Sequence, residues 1–417
     1  MMESQSGAAA PAAPGKGAKR RGGLELARII ACCCIIVIHQ NFLYSTQYPG
    51  GSFLRMLTKG CATTIFFMIT GAFLKAGQPF AIQIKRLVVK NVIPFLLVTP
   101  LILQFWPALA GQVSPAACFS QWNVTLRGFF TMLFAMNVDA IVSPHGYPAA
   151  NGGIYHLWFM FALYKCYVFF PLLKPLLVDG SAGESAKRYA LAIGAVVFLL
   201  VPTIKLFVPA DGMLAKMPDI QLEPFLWLWV MLAGNHLYFR LRDAPAIEGR
   251  RRRAELLCGL VYLGATAFTY FLTMRHALEA DGVHANDRFL DRGFIPLFAA
   301  NVAAFVFFAI LRIESETVAE RIRLVANRTL YIYLFHVPVL ALLRTHVFPD
   351  MAYYGMGDKL LVLAIVFLVC YILASICRGI ERGLAGLTAR RLAESLVATF
   401  VLPSQMVARS LRVFTKK

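Results

Sequence analysis

Residues 24–44 read LELARIIACCCIIVIHQNFLY. The run is apolar and long enough to cross a bilayer, which takes about 20 residues of α-helix. Two ionisable side chains interrupt it, Arg28 near the start and His39 near the end. Eleven steps of about 100° return a helix to within about 20° of the same face and raise it by about 16 Å. Arg28 and His39 therefore share one stripe, one toward each side of the membrane. Polar groups inside hydrocarbon are costly and face a protein interior or a water-filled path. Glu25 precedes Arg28 by about one turn and is placed to pair with it. An arginine that snorkels to the headgroups and a histidine with one structural hydrogen bond are the plainer account of the two residues.

The rest of the chain fits that start. Its 417 residues are 59% hydrophobic and 15% charged, with a mean hydropathy of +0.64, a combination that excludes an ordinary soluble domain. The pattern predicts ten spanning helices, at 24–44, 56–74, 92–110, 154–173, 189–208, 223–239, 254–274, 293–312, 329–347 and 359–377. The class is all-α, a polytopic membrane bundle. The net charge of +19 would point to nucleic acid in a soluble protein; here its distribution carries the information. Lys and Arg crowd the N-terminal tail, every second loop and the C-terminal tail, and are sparse in the alternate loops. By the positive-inside rule both termini are cytoplasmic and His39 lies toward the outer face. Residues 1–23 read as a disordered basic tail, 24–378 as the membrane domain and 379–417 as a basic amphipathic tail. Seven of the nine Cys fall within apolar segments and no CxxC pair occurs, so the cysteines read as small buried residues, with no metal or disulfide role.

Several strings repeat the theme of polar residues in apolar surroundings. The second span ends FFMITGAFL, residues 66–74. The loop after it, AIQIKRLVVKNVIPF, residues 81–95, gathers Lys85, Arg86 and Lys90. Retention of positive charge on the inner side explains that cluster as well as a phosphate clamp does. The fourth span opens GGIYHLWFMFALYKCYVFFPLL, with His156 and Trp158 at its mouth, where an aromatic belt is the plain reading. The ninth reads TLYIYLFHVPVLALL, in which His336 precedes Pro338. Gly234, Asn235 and His236 end the sixth span, and Asn301 interrupts the eighth, where a hydrogen bond between helices is the default. The long loop 111–152 holds a short apolar stretch, 129–136, His145 and an Asn123-Val124-Thr125 sequon.

In order and spacing, these strings resemble the acyltransferase-3 family of membrane O-acyltransferases. The Arg-x10-His of the first span, the FFMITGAFL stretch, the basic loop before Ile93-Pro94, the His-Leu-Trp-Phe string and the His-x-Pro all carry the likeness. Thr70 stands where the family has Ser, Ala72 where it has Phe, and Val89 where its second loop Arg falls. The fourth span is most similar to the branch that O-acetylates sugars of the enterobacterial-common-antigen type.

The resemblance implies an enzyme that moves an acyl group, acetyl in the first instance, from cytoplasmic acyl-CoA to a hydroxyl of a surface or lipid-linked glycan. His39 would be the general base and Arg28 its partner in handling the donor. Lys85, Arg86 and Lys90 would hold the coenzyme. His156, Trp158 and His336 would bind substrate. No Ser-His-Asp constellation is visible, which favours direct transfer over an acyl-enzyme. The implied setting is a bacterial inner membrane. The implied partners are lipids, acyl-CoA and the glycan, with a homo-oligomer left open and no nucleic acid. A transporter or flippase relaying protons through the same His and Arg is the competing class.

Overall fold

The computed structural model describes residues 22–40, 49–74, 80–109, 111, 114–120, 155–177, 181–207, 223–243, 248–279, 294–349 and 355–385. The stretch 129–136, His145, the sequon, residues 1–21 and residues 386–417 lie outside them. Every regular element among the described residues is helical.

The first helix, α1, runs Gly22–His39. Helices α2 (Pro49–Lys59) and α3 (Thr63–Ala72) follow. Next comes α4 (Phe80–Leu87), which continues through a π-helical turn at Val88–Val92 into α5 (Ile93–Leu109). After the short α6 (Pro115–Ser120), α7 (Trp158–Leu173) enters through a 3-10 turn at Tyr155–Leu157. Helix α8 (Ser181–Ala195) runs through a second π-helical turn into α9 (Val201–Lys205). The chain then forms α10 (Glu223–Asp243), α11 (Glu248–Glu279), α12 (Ile295–Ile310), α13 (Glu316–Ala326), α14 (Thr329–His346) and α15 (Met356–Ala385).

Five of the described stretches are long and apolar enough to cross a membrane: Gly22–His39, Ile82–Trp106, Gly183–Lys205, Gly249–Arg275 and Met356–Glu381. The pair α13 and α14, bent by 50°, makes a sixth, and α7 and α12 are shorter apolar helices. The protein is an all-α, multi-pass membrane bundle. Helices α8, α11 and α15 line its outside. Ile193, Leu256, Leu260, Phe271, Leu368 and Ile372 stand exposed on them, as side chains solvated by lipid do. Helix α1 lies at the centre, with Ala27, Ala31, Ile35 and Ile36 buried. It packs against α3, α12, α13, α14 and α15.

Two features position the site. The first is the close pairing of α3 with α10. A side chain at Gly71 would overlap the backbone of Met231, and one at Gly234 would overlap the backbone of Met68. Two glycines facing each other's helices let the backbones touch. Asn235 then donates to the carbonyls of Gly71 (3.0 Å) and Leu74 (3.2 Å), closing the C-terminus of α3.

The second feature corrects the expected span 56–74. That segment is two helices, parted at Gly60–Ala62. Gly60 is an unfavourable helix residue, and Tyr262 of α11 caps the break by donating to the carbonyl of Leu57. Broken helices survive at membrane depth where the freed groups are buried in protein or line a cavity. Here Lys59, Ala62, Thr63 and Thr64 line one.

Candidate functional site

The His39 end of α1 meets α14 and the start of α7. The rings of His39 and His336 lie 5.1 Å apart, centroid to centroid, and those of His156 and His336 also 5.1 Å. His156 and His336 are fully buried. The sequence strings that carried these three histidines lie far apart in the chain, and the fold brings them to one place.

Local chemistry fixes the two buried rings. Pro338 has no N–H, so it cannot bond the carbonyl of Leu334 four residues back. His156 takes that acceptor: its Nε2 lies 3.3 Å from the Leu334 oxygen. His336 donates from Nδ1 to the carbonyl of Tyr333 at 2.5 Å, which leaves Nε2 as an acceptor with no partner among the described residues. The Tyr333 hydroxyl donates to the carbonyl of His156 and closes the loop. Each ring therefore spends one nitrogen on a backbone carbonyl. Among the described residues no group of three His, Cys, Asp or Glu is placed to hold a metal ion.

A cavity of about 180 Å³ opens beside His39. Its walls include Ile35 and Ile38 of α1, Lys59 at the end of α2, Thr63 and Thr64 at the start of α3, Trp158, Trp227 and Asn301. A cavity of about 150 Å³ holds a benzene ring, so this one has room for a single six-membered ring or an acyl thioester, not for an oligosaccharide. Trp227 is stacked on Phe67 (4.1 Å, 16°) and leans on Trp158 (5.8 Å), so one wall is a fixed aromatic surface. Asn301 does not bridge helices as its sequence suggested. Its Nδ2 bonds back to Leu297 of its own helix at 2.8 Å, and its Oδ1 is buried without a partner among the described residues.

Arg28 is not part of this cluster. It donates to Glu25 at 3.1 Å near the opposite end of α1, the pairing anticipated from sequence. Lys85 and Lys90 are exposed on α4 and the π-helical turn. The side chain of Arg86 lies outside the described residues. Trp158 lines the cavity. Sequence reasoning missed Lys59, Trp227 and Tyr333. Lys59 was lost because hydropathy alone merges α2 and α3 into one span. Trp227 and Tyr333 read as ordinary apolar-helix aromatics.

Buried imidazoles, a broken helix and a partly polar cavity inside an apolar helix bundle mark this place as the candidate site of a membrane protein. The comparison with family models narrows the class. The chain matches the model described as an acyltransferase domain, of the acyltransferase-3 type, over residues 21–378, and it belongs to that family. No curated protein and no solved structure matches it. The protein is thus a membrane acyltransferase.

Proposed function

We propose that this enzyme transfers an acetyl group from cytoplasmic acetyl-CoA to a hydroxyl of a surface or lipid-linked glycan at the outer face of a bacterial inner membrane. The observation that carries the reading is the cavity beside His39, backed by His336 and His156. His is the side chain whose ordinary pKa suits proton transfer near neutral pH. His39 takes the proton of the acceptor hydroxyl as its oxygen attacks the thioester carbon. The two buried histidines hold the base in place and shield it from lipid. The cavity admits one ring or the acyl end of the donor, so the acceptor presents a single sugar to it while the remainder stays outside.

The charge distribution supports an inner supply of coenzyme. The basic loops mark the cytoplasmic side, with both termini there. The Arg28–Glu25 pair lies on the stretch of α1 that a donor arm passes on its way to His39. Lys85, Arg86 and Lys90 then meet the phosphates of the coenzyme from the cytoplasmic surface.

Two measurements test this. Membranes holding the protein, given acetyl-CoA and envelope glycolipid from a deletion strain, release coenzyme A thiol in proportion to new acetyl ester. Mass spectrometry of the envelope glycans of that deletion strain shows the loss of an acetyl mass. Unchanged glycan masses together with no thiol release would overturn the reading.

A further inference from the structure

Attack of a hydroxyl on a thioester puts negative charge on the carbonyl oxygen. Groups aimed at that oxygen before the reaction begins contribute more to rate than any other single device. His39 handles the proton, not this charge. Arg28 sits about 16 Å of helix rise away and is engaged with Glu25. The stabilising groups must therefore come from elsewhere on the cavity wall.

The break between α2 and α3 supplies them. The first N–H groups of a helix have no acceptor within it, and together they carry a partial positive charge. At α3 the residue preceding the helix is Ala62, which offers no side-chain cap. The N–H of Ile65 is taken by the carbonyl of Ala62 at 3.2 Å. Those of Thr63 and Thr64 have no backbone acceptor among the described residues, and both residues line the cavity. Lys59, the last residue of α2, lines it too and brings a whole positive charge. A second, independent feature marks the same space as a ligand site. Asn301 is 3% exposed, lines the cavity, and keeps a buried Oδ1 without a partner among the described residues. An amide oxygen left so is an acceptor awaiting an O–H or N–H of whatever binds.

We propose that the α2–α3 break is the oxyanion site of the transfer reaction, with Lys59 and the N–H groups of Thr63 and Thr64 stabilising the charge that His39 helps to generate. This rests on the acyl-transfer reading above. The acceptor oxygen bonds to the thioester carbon as its proton passes to His39. The carbonyl π pair moves onto oxygen and is held by Lys59 and the α3 N-terminus. When the pair returns, the carbon–sulfur bond breaks and coenzyme A thiolate leaves, taking the proton from His39. The products are the ester and coenzyme A thiol. Asn301 meanwhile accepts a hydrogen bond from a neutral donor group of the substrate. Lys59 is accordingly a catalytic residue and Asn301 a binding residue.

The test uses the full-length protein in lipid nanodiscs, with acetyl-CoA as donor and envelope glycolipid from a deletion strain as acceptor. Loss of one oxyanion donor lowers kcat by about 10²–10³-fold in a well-studied hydrolase. Lys59→Met is expected to lower kcat by about 100-fold with KM for both substrates within threefold. Lys59→Arg keeps a cation there and recovers at least a tenth of wild-type kcat. Thr63→Pro deletes one N–H at a helical position that tolerates proline, and lowers kcat by about tenfold. It decides the matter if Lys59→Met fails to insert. A kcat within threefold of wild type in Lys59→Met and in Thr63→Pro overturns the proposal. So does a loss confined to KM for the acceptor, which would mean the cation binds a ground-state anion such as a sugar phosphate. Wild-type activity with an inactive His39→Ala beside an active Lys59→Met sinks this proposal alone. A wild type that transfers nothing sinks the parent reading with it.

Discussion

The two ends of α1 carry the same kind of residue to opposite purposes. At one end Arg28 and Glu25 neutralise each other within a turn, at 3.1 Å. Glu25 is 2% exposed, and a charge so buried is held in a fold by pairing such as this. At the other end His39 enters a group in which some polar atoms have no partner among the described residues. Among the described residues, Nε2 of His336 and Oδ1 of Asn301 have no partner, and the first N–H groups of α3 have no backbone acceptor. Buried polar groups left without a protein partner are expensive, and a fold retains them for a reason such as a catalytic role or a bound water or ligand. One end of the helix pairs its charges within the protein. The other is the end that the proposed reaction uses.

Substitutions can break that contrast. The largest effect is expected at His39. His39→Ala removes the base and should lower kcat by about 10²–10⁴-fold, with the same elution profile and membrane yield as wild type. Thiol release from acetyl-CoA measures it. A His39→Ala enzyme within threefold of wild type would make the His39 end structural and erase the distinction. Next comes Arg28→Met, which takes a cationic partner from a buried carboxylate and should cost about 3 kcal/mol of stability, read as a lower unfolding temperature in detergent. The double variant Glu25→Gln, Arg28→Met should restore most of that stability. If the restored protein transfers acetyl at the wild-type rate, Arg28 has no part in the reaction. If it is folded but has a raised KM for acetyl-CoA, the pair guides the donor.

Much of this was legible beforehand, and the misses have physical causes. The crossing helix, its polar stripe and the Glu25–Arg28 pair follow from the helical repeat, which acts at short range. The family resemblance assigned His39, His156 and His336 to the reaction, but that all three rings meet was not readable, because no local rule brings three distant helices together. The break at Gly60–Ala62 was invisible because glycine, cysteine and alanine read as mildly apolar, so a hydropathy window runs straight across it. Asn301 was read as a link between helices; a side-chain amide in a helix also reaches its own carbonyl four residues back, and only the packing decides which bond forms. The Asn235 cap on α3 was hidden for the same reason, since its partners lie on another helix.

Pro338 sharpens the His39 end further. Pro338→Ala restores an N–H that bonds the Leu334 carbonyl and competes with His156 for it. A proline inside a helix costs about 3 kcal/mol, so the variant should unfold at the same or a higher temperature. With its acceptor shared, His156 loosens, and kcat should fall by about tenfold. Gain of stability with loss of rate would mark the proline as kept for the site. Loss of both would mark it as part of the packing.

The smallest effect is expected at a third charged cluster, which tests whether number of charges alone makes a site. Glu184 on α8 receives Arg240 of α10 at 2.9 Å, Arg188 at 3.3 Å, His236 at 3.5 Å and Lys187 at 3.7 Å. This gathering is richer in charge than either end of α1. Yet the side chains of Arg240 and Arg188 are 54% and 61% exposed. Water screens exposed pairs, and each is worth about 0.2–1 kcal/mol. Arg240→Gln should therefore shift the unfolding temperature by no more than a degree or two and leave kcat within twofold. A large loss of stability would mean that the α8–α10 joint is held by charge, not by the seating of Trp229, whose indole bonds to the Leu191 carbonyl at 3.0 Å. The contrast between the ends of α1 would then rest on burial less than is argued for Glu25. A silent Arg240→Gln beside a crippling Arg28→Met would show that exclusion of water, and not the count of ions, gives a charge in this bundle its weight.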